Sequence, residues 1–173
     1  MTNDQAEFLL QQVYVPQITN ERVATRRVIE AVPTDKSDWK PDPKSKSALD
    51  LAWHLAASEC YFLNGVASGS FAPGSGAKPD SIKTSADVLK WYDDNVGKAT
   101  AAVSSLKGDA LTTPISFHGI FNLPAISYLG VLCNHSVHHR AQLATYLRPM
   151  GSKVPKIYGG SADEPMEMPA AKS

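Results

Sequence analysis

The run "SALDLAWHLAASECYFLNGVAS", residues 47–68, constrains the fold more than any other part of the chain. Its apolar residues do not form a single stripe but cover most of a helix's circumference, the pattern of a helix packed centrally among others. One imidazole, His54, sits in its middle, where an unpaired polar ring is costly. Ser47 and Asp50 open the run at capping-box spacing, with Asp in place of the usual Glu.

Other segments can supply the neighbours. From Asp4 to about Val32, apolar residues recur at roughly helical spacing, and Pro16 kinks or splits that helix. "PTDKSDWKPDPKSKS" reads as a loop. A third helix is predicted from Ser85 to about Lys107, capped by Thr84 or Ser85 and stopped by Gly108. "DALTTPISFHGIFNLP" does not read as helix. Ile115, Phe117, Ile120 and Phe121 around His118-Gly119 suggest a small β-hairpin. Asn122 is then the expected cap of a fourth helix, with Pro124 in its first turn and Pro149 and Gly151 beyond its end near Leu147. The expected fold is all-α: a four-helix bundle with long connections and a small hairpin before the last helix. Residues 1–165 form the expected single domain, and 166–173 an expected flexible tail.

Charge narrows the function classes. Lys plus Arg and Asp plus Glu both number 17, so the net charge is zero, without the basic surplus usual in a nucleic-acid binder. No apolar run approaches the ~18 residues that span a membrane. The start "MTNDQAEFLL" does not resemble a secretion signal. Cys60 and Cys133 each lie in an apolar run and form no C-x-x-C pair, which points to buried free thiols. The expectation is a cytoplasmic protein acting on small molecules, without nucleic-acid or membrane partners.

Three of the five histidines crowd into "NHSVHHRAQLATYLR", residues 134–148. On a wheel of about 100° per residue, His135 and His139 border the face carrying Leu129, Leu132, Leu143 and Leu147, and His138 points toward solvent. An i, i+4 pair can converge on one metal, and about three protein ligands make a catalytic site. His54 in the apolar helix is the natural third, whereas His118 lies in a loop. Spacing alone leaves a second reading open: a hydrogen-bonded core histidine and an unrelated solvated pair. Asp50, one turn before His54, either accepts from that ring or serves only as the helix cap. Gln142, near the His135 direction, is placed to hydrogen-bond a ligand histidine or a substrate. Arg140 falls beside the leucine stripe and needs an acidic partner, for which Glu59 is the candidate. Trp53, Tyr61 and Tyr128 read as core aromatics or pocket lining.

At these residues the chain resembles the DinB/YfiT-like family. "NHSVHHRAQLATYLRPMG" is similar to that family's H-x-x-x-H-R-[GA]-Q motif, with Ala141 where many members have Gly. "LAWHLAASECYFL" resembles the second-helix segment that carries a single histidine, and "KVPKIYGGSADEP" a C-terminal stretch of one subgroup. The resemblance implies a divalent metal on His54, His135 and His139, with zinc or nickel foremost and manganese or iron as alternatives. It also implies a homodimer and, for some members, S-transferase chemistry with a low-molecular-weight thiol. Three neutral imidazoles leave a divalent ion's charge uncompensated, which suits activation of a thiol and, equally, of water. The expected function is a metal-dependent thiol transferase. The alternatives are a non-catalytic metal-binding or interaction protein and a metal-dependent hydrolase.

Overall fold

Residues 1–74 and 76–166 are described by the structure, a computed structural model. Of the expected tail, positions 167–173 lie outside the described residues. Helix α1 (Asn3–Leu9) begins at a reciprocal cap between Thr2 and Gln5. It passes through a π-helical turn, Leu10–Tyr14, into α2 (Val15–Glu30), whose first turn holds Pro16. Proline donates no N–H and its ring crowds the carbonyl four residues back, so a widened turn upstream accommodates it. The expected division at Pro16 thus takes the form of a bulge between two continuous helices.

Helix α3 (Ala48–Ser68) starts where Ser47 Oγ accepts the Asp50 N–H and ends at Gly69, whose φ of 70° suits glycine. It packs on α4 (Ser85–Ser104) and α6 (Ser127–Leu147), and α2 packs on the same two helices. Leu51, Leu55, Leu63 and Val66 of α3 are buried with Val88, Tyr92 and Val96 of α4 and Leu129, Leu132 and Leu143 of α6. The apolar circumference of α3 is not closed all round. His54, Ala57, Ser58 and Tyr61 are only half-buried and share one stripe of the helix, with exposed Asn64 at its end.

Helix α4 stops at Ser104, short of Lys107, and Gly108 leads into the single-turn α5 (Asp109–Thr112). Strand β1 (Pro114–Phe117) then pairs antiparallel with β2 (Phe121–Pro124). The hairpin corrects the expected start of the last helix. Asn122 pairs with Ser116 inside β2, and Pro124 faces Pro114 at the strand end, where a missing N–H costs little. Thr113 O and Leu111 O take up the N–H groups of Ala125 and Ile126, and α6 starts at Ser127 without a side-chain cap. The hairpin docks through Phe117, which meets Phe71 and Phe62 at ring-centroid distances of 5.0 and 5.7 Å. Gly65 makes this docking possible: a Cβ there would lie 2.1 Å from the Phe71 ring.

Beyond α6 the chain runs extended back over α2. Arg27 meets Glu164 at 2.5 Å, Arg148 meets Asp163 at 3.0 Å, and Ser152 Oγ donates to Ala31 O at 2.6 Å. Among the described residues, no helix is long and apolar enough to cross a membrane.

Candidate metal centre

Helices α3 and α6 lie against each other with His54 on one and the i, i+4 pair His135 and His139 on the other. One ring nitrogen from each of the three lies within 4.8 Å of the other two. His54 Nε2 and His139 Nε2 are 3.1 Å apart. The ring centroids of His135 lie 4.3 Å from His139 and 5.1 Å from His54. The structure therefore brings together the three histidines picked out by spacing, and such a group could hold a metal ion.

The surroundings fit that use. Gln142 Oε1 is 2.8 Å from His139 Nδ1, so Nδ1–H donates to the amide oxygen and Nε2 is left with its lone pair toward His54. His135 Nδ1 is buried and has no hydrogen-bond partner. A buried polar atom is rarely left so, and coordination of a metal would satisfy this ring. Phe62, 5.8 Å from the His135 ring, walls the group on its apolar side.

A model of the DinB family matches residues 2–169. The chain belongs to the DinB family. It is similar to the uncharacterized protein YjoA of Bacillus subtilis (strain 168), with 27% identity over 140 residues, or 79% of this chain and 88% of that protein. Its fold is similar to that of two DinB-like proteins solved by crystallography. YjoA from Bacillus subtilis has a TM-score of 0.70 and 23% identity, over 83% of this chain and 96% of that one. A DinB-like protein from Bacillus cereus ATCC 10987 has a TM-score of 0.73 and 22% identity, over 86% and 97%.

In this DinB-family chain the site's electrostatics favour uncharged imidazoles. Burial, reinforced by His139 and then Lys46, pushes His54 down to about 4. Burial and the neighbouring histidines push His135 down to about 4. Burial also lowers His139, against the opposing effect of its bond to Gln142. Neutral imidazole is the form that binds metals.

The remaining sequence candidates sort by contact. Of the two roles weighed for Asp50, the structure shows the cap. Its Oδ2 accepts from Ser47 Oγ at 2.9 Å and its Oδ1 lies 3.9 Å from Lys78 Nζ, while His54 Nδ1 faces Ser58 Oγ at 3.5 Å. Gln142 bonds a ligand candidate, as its position on the wheel allowed. His138 is exposed, touching the group only through its ring against His139. The expected pairing of Arg140 with Glu59 is corrected. Arg140, 1% exposed, reaches along α6 to α2, where its Nη2 meets Glu21 Oε2 at 2.5 Å and donates to Tyr158 Oη. Glu59 is instead held by hydroxyls, accepting from Tyr92 Oη and, at 3.2 Å, from Thr25 Oγ1. Burial raises the Glu59 carboxyl, so hydroxyl donors suffice for it.

One contact was missed from sequence. Tyr61 Oη lies 2.8 Å from His118 Nε2, across 57 positions. The only signal for it in the chain is the histidine placed before Gly119 in a hairpin turn.

Proposed function

We propose that this protein binds a divalent metal through His54, His135 and His139 and transfers a low-molecular-weight thiol to an electrophilic small molecule. The observation that carries this reading is the donor set: three imidazoles converge and, among the described residues, no carboxylate or cysteine joins them. A divalent ion held there would keep its full charge and act as a Lewis acid, lowering the pKa of a bound thiol. Zinc or nickel is the preferred occupant, although imidazole also accepts manganese and iron.

The protein's own part is positioning. Gln142 fixes the orientation of His139, and the α3–α6 packing fixes the spacing of the other two rings. The stripe of α3 that carries His54 opens into a cleft of about 450 Å³, with Trp53 and Trp91 on one wall. Those indoles, 4.7 Å apart, give an apolar surface for the acceptor. Neutral overall charge supports a small-molecule partner over nucleic acid. The buried, unpaired Cys60 and Cys133 support the reducing cytoplasm as its location. A homodimer is also part of the proposal, on the strength of family resemblance, and sedimentation of untagged protein tests it.

The deciding experiment follows loss of free thiol in the presence of an electrophilic acceptor, using metal-loaded protein purified without an affinity tag. Turnover by the natural sequence that disappears in His135→Ala is the expected result. An equal rate in His135→Ala refutes metal-assisted transfer. Metal binding without turnover for any thiol favours a non-catalytic metal-binding protein.

A further inference from the structure

The cleft beside His54 is floored by the half-buried stripe of α3, from His54 through Ser58 to Tyr61 and Asn64, and His118 closes its far side. His54 and Tyr61 are seven residues apart, so they stand two helical turns, roughly 10 Å, from each other along α3. A hydrogen-bonding pair therefore sits at the end of the cleft away from His54.

The pair has a defined proton order. Tyr61 Oη carries one proton and has two partners, Ala72 O at 3.0 Å and His118 Nε2 at 2.8 Å. A carbonyl can only accept, so the tyrosine proton goes to Ala72. His118 Nε2–H must then be the donor toward Tyr61 Oη, and in the neutral ring Nδ1 is left as an unprotonated acceptor.

The backbone gives a second, independent reason to single out His118. Its φ is +52°, the one positive value at a non-glycine residue among the described residues. Ile120 N–H donates to Phe117 O at 2.9 Å across His118 and Gly119, and with both φ values positive this is a type I′ turn. Asn or Gly is the ordinary occupant of the first central position. Histidine there costs backbone energy, and such cost is commonly retained where a side chain is needed.

We infer that His118, held by Tyr61, is the far anchor of the thiol cosubstrate, accepting a hydrogen bond from an ammonium or amide N–H at the end of the cleft beyond Tyr61. This rests on the proposed thiol reading, with the sulfur at the three histidines, and it specifies which thiol fits. The cosubstrate carries a donor group at its far end, since the neutral His118 ring offers Nδ1 as an acceptor.

The test uses the full chain and two probes. Nitrogen NMR of metal-free protein reads the His118 tautomer, and protonation at Nε2 is expected in the natural sequence. A ring protonated at Nδ1 overturns the inference. Zinc-loaded protein is then titrated with unbranched aminoalkanethiols of graded length and with their methyl-terminated counterparts. One length in the series should bind about tenfold tighter than its methyl counterpart. That advantage should vanish in His118→Asn, which keeps the turn, and fall in Tyr61→Phe, with zinc affinity unchanged in both. Thiols that bind without any length optimum, or an optimum that survives both variants, overturn this inference alone. No thiol binding at all overturns the thiol reading with it.

Discussion

Replacing His135 by alanine in metal-free protein, then adding zinc, tests the centre most directly. Four-ligand structural zinc sites are worth about 10–16 kcal/mol, or about 3 kcal/mol per ligand. Removing one of three imidazoles should therefore weaken binding by about 10²-fold. With free zinc at ~100 times the natural protein's Kd, linkage stabilises the fold by about 2.7 kcal/mol. The same zinc only equals the variant's Kd, and the gain falls to about 0.4 kcal/mol. For a chain of this size each kcal/mol moves Tm by about 2–4 °C. The natural protein should thus melt about 5–11 °C higher with zinc, and His135→Ala about 1 °C higher. Scanning calorimetry on chelator-stripped, untagged protein reads both, each variant against its own metal-free melting point. His138→Ala, whose exposed ring lies outside the group, should keep the full shift. A natural protein whose Tm ignores zinc, or a shift that survives in His135→Ala, refutes the assignment.

Other outcomes follow from the same contacts. Gln142→Ala removes the 2.8 Å partner of His139 and should weaken zinc binding about 10–100-fold, read by chelator competition. Acid should destabilise the metal-free protein. His54 and His135 sit at about 4 when folded, below the ordinary value of 6.5, so the unfolded chain takes up protons first. Their contribution is complete above about pH 6.5 and is lost as pH falls toward about 4, a slope that urea titrations across that window will show or refute. Gly65→Ala should destabilise by about 1–3 kcal/mol despite alanine's better helix propensity, because its Cβ would meet a Phe71 ring packed among other aromatics. Arg140→Leu should cost about 3–5 kcal/mol by leaving Glu21 without its buried partner, and a neutral result in denaturant unfolding would mean the pair is dispensable.

Much of this site is local, and local features are legible in a sequence. Helical periodicity alone separates His135 and His139 from His138, since three and four residues place side chains on fixed sides of a helix. An imidazole in the midst of a nearly all-apolar helix marks His54 for the same reason. Capping chemistry placed the starts of α3 and α4 correctly, because a serine or threonine oxygen acts on N–H groups two or three residues away. The hairpin is readable from its turn residues, yet Asn122, the expected helix cap, and Pro124, expected in the first helical turn, both lie in β2. A proline is equally at home at a strand end, and only the pairing of Ser116 with Asn122 decides between them.

Partners at a distance were decided by the tertiary structure. Arg140 is recognisable from its wheel position as a buried cation needing an acid, but the expected acid, Glu59, is not the one it meets; Glu21 is. The choice depends on how α6 lies across α2 and on Tyr158 returning from the C-terminal segment. The Tyr61–His118 contact likewise exists only because Phe117 docks the hairpin against Phe62 and Phe71. The sequence determined which residues are able to bind a metal, since that follows from side-chain chemistry and helix pitch. Packing determined that His54 meets the other two, and what stands at the far end of the cleft, since both depend on contacts between residues more than fifty positions apart.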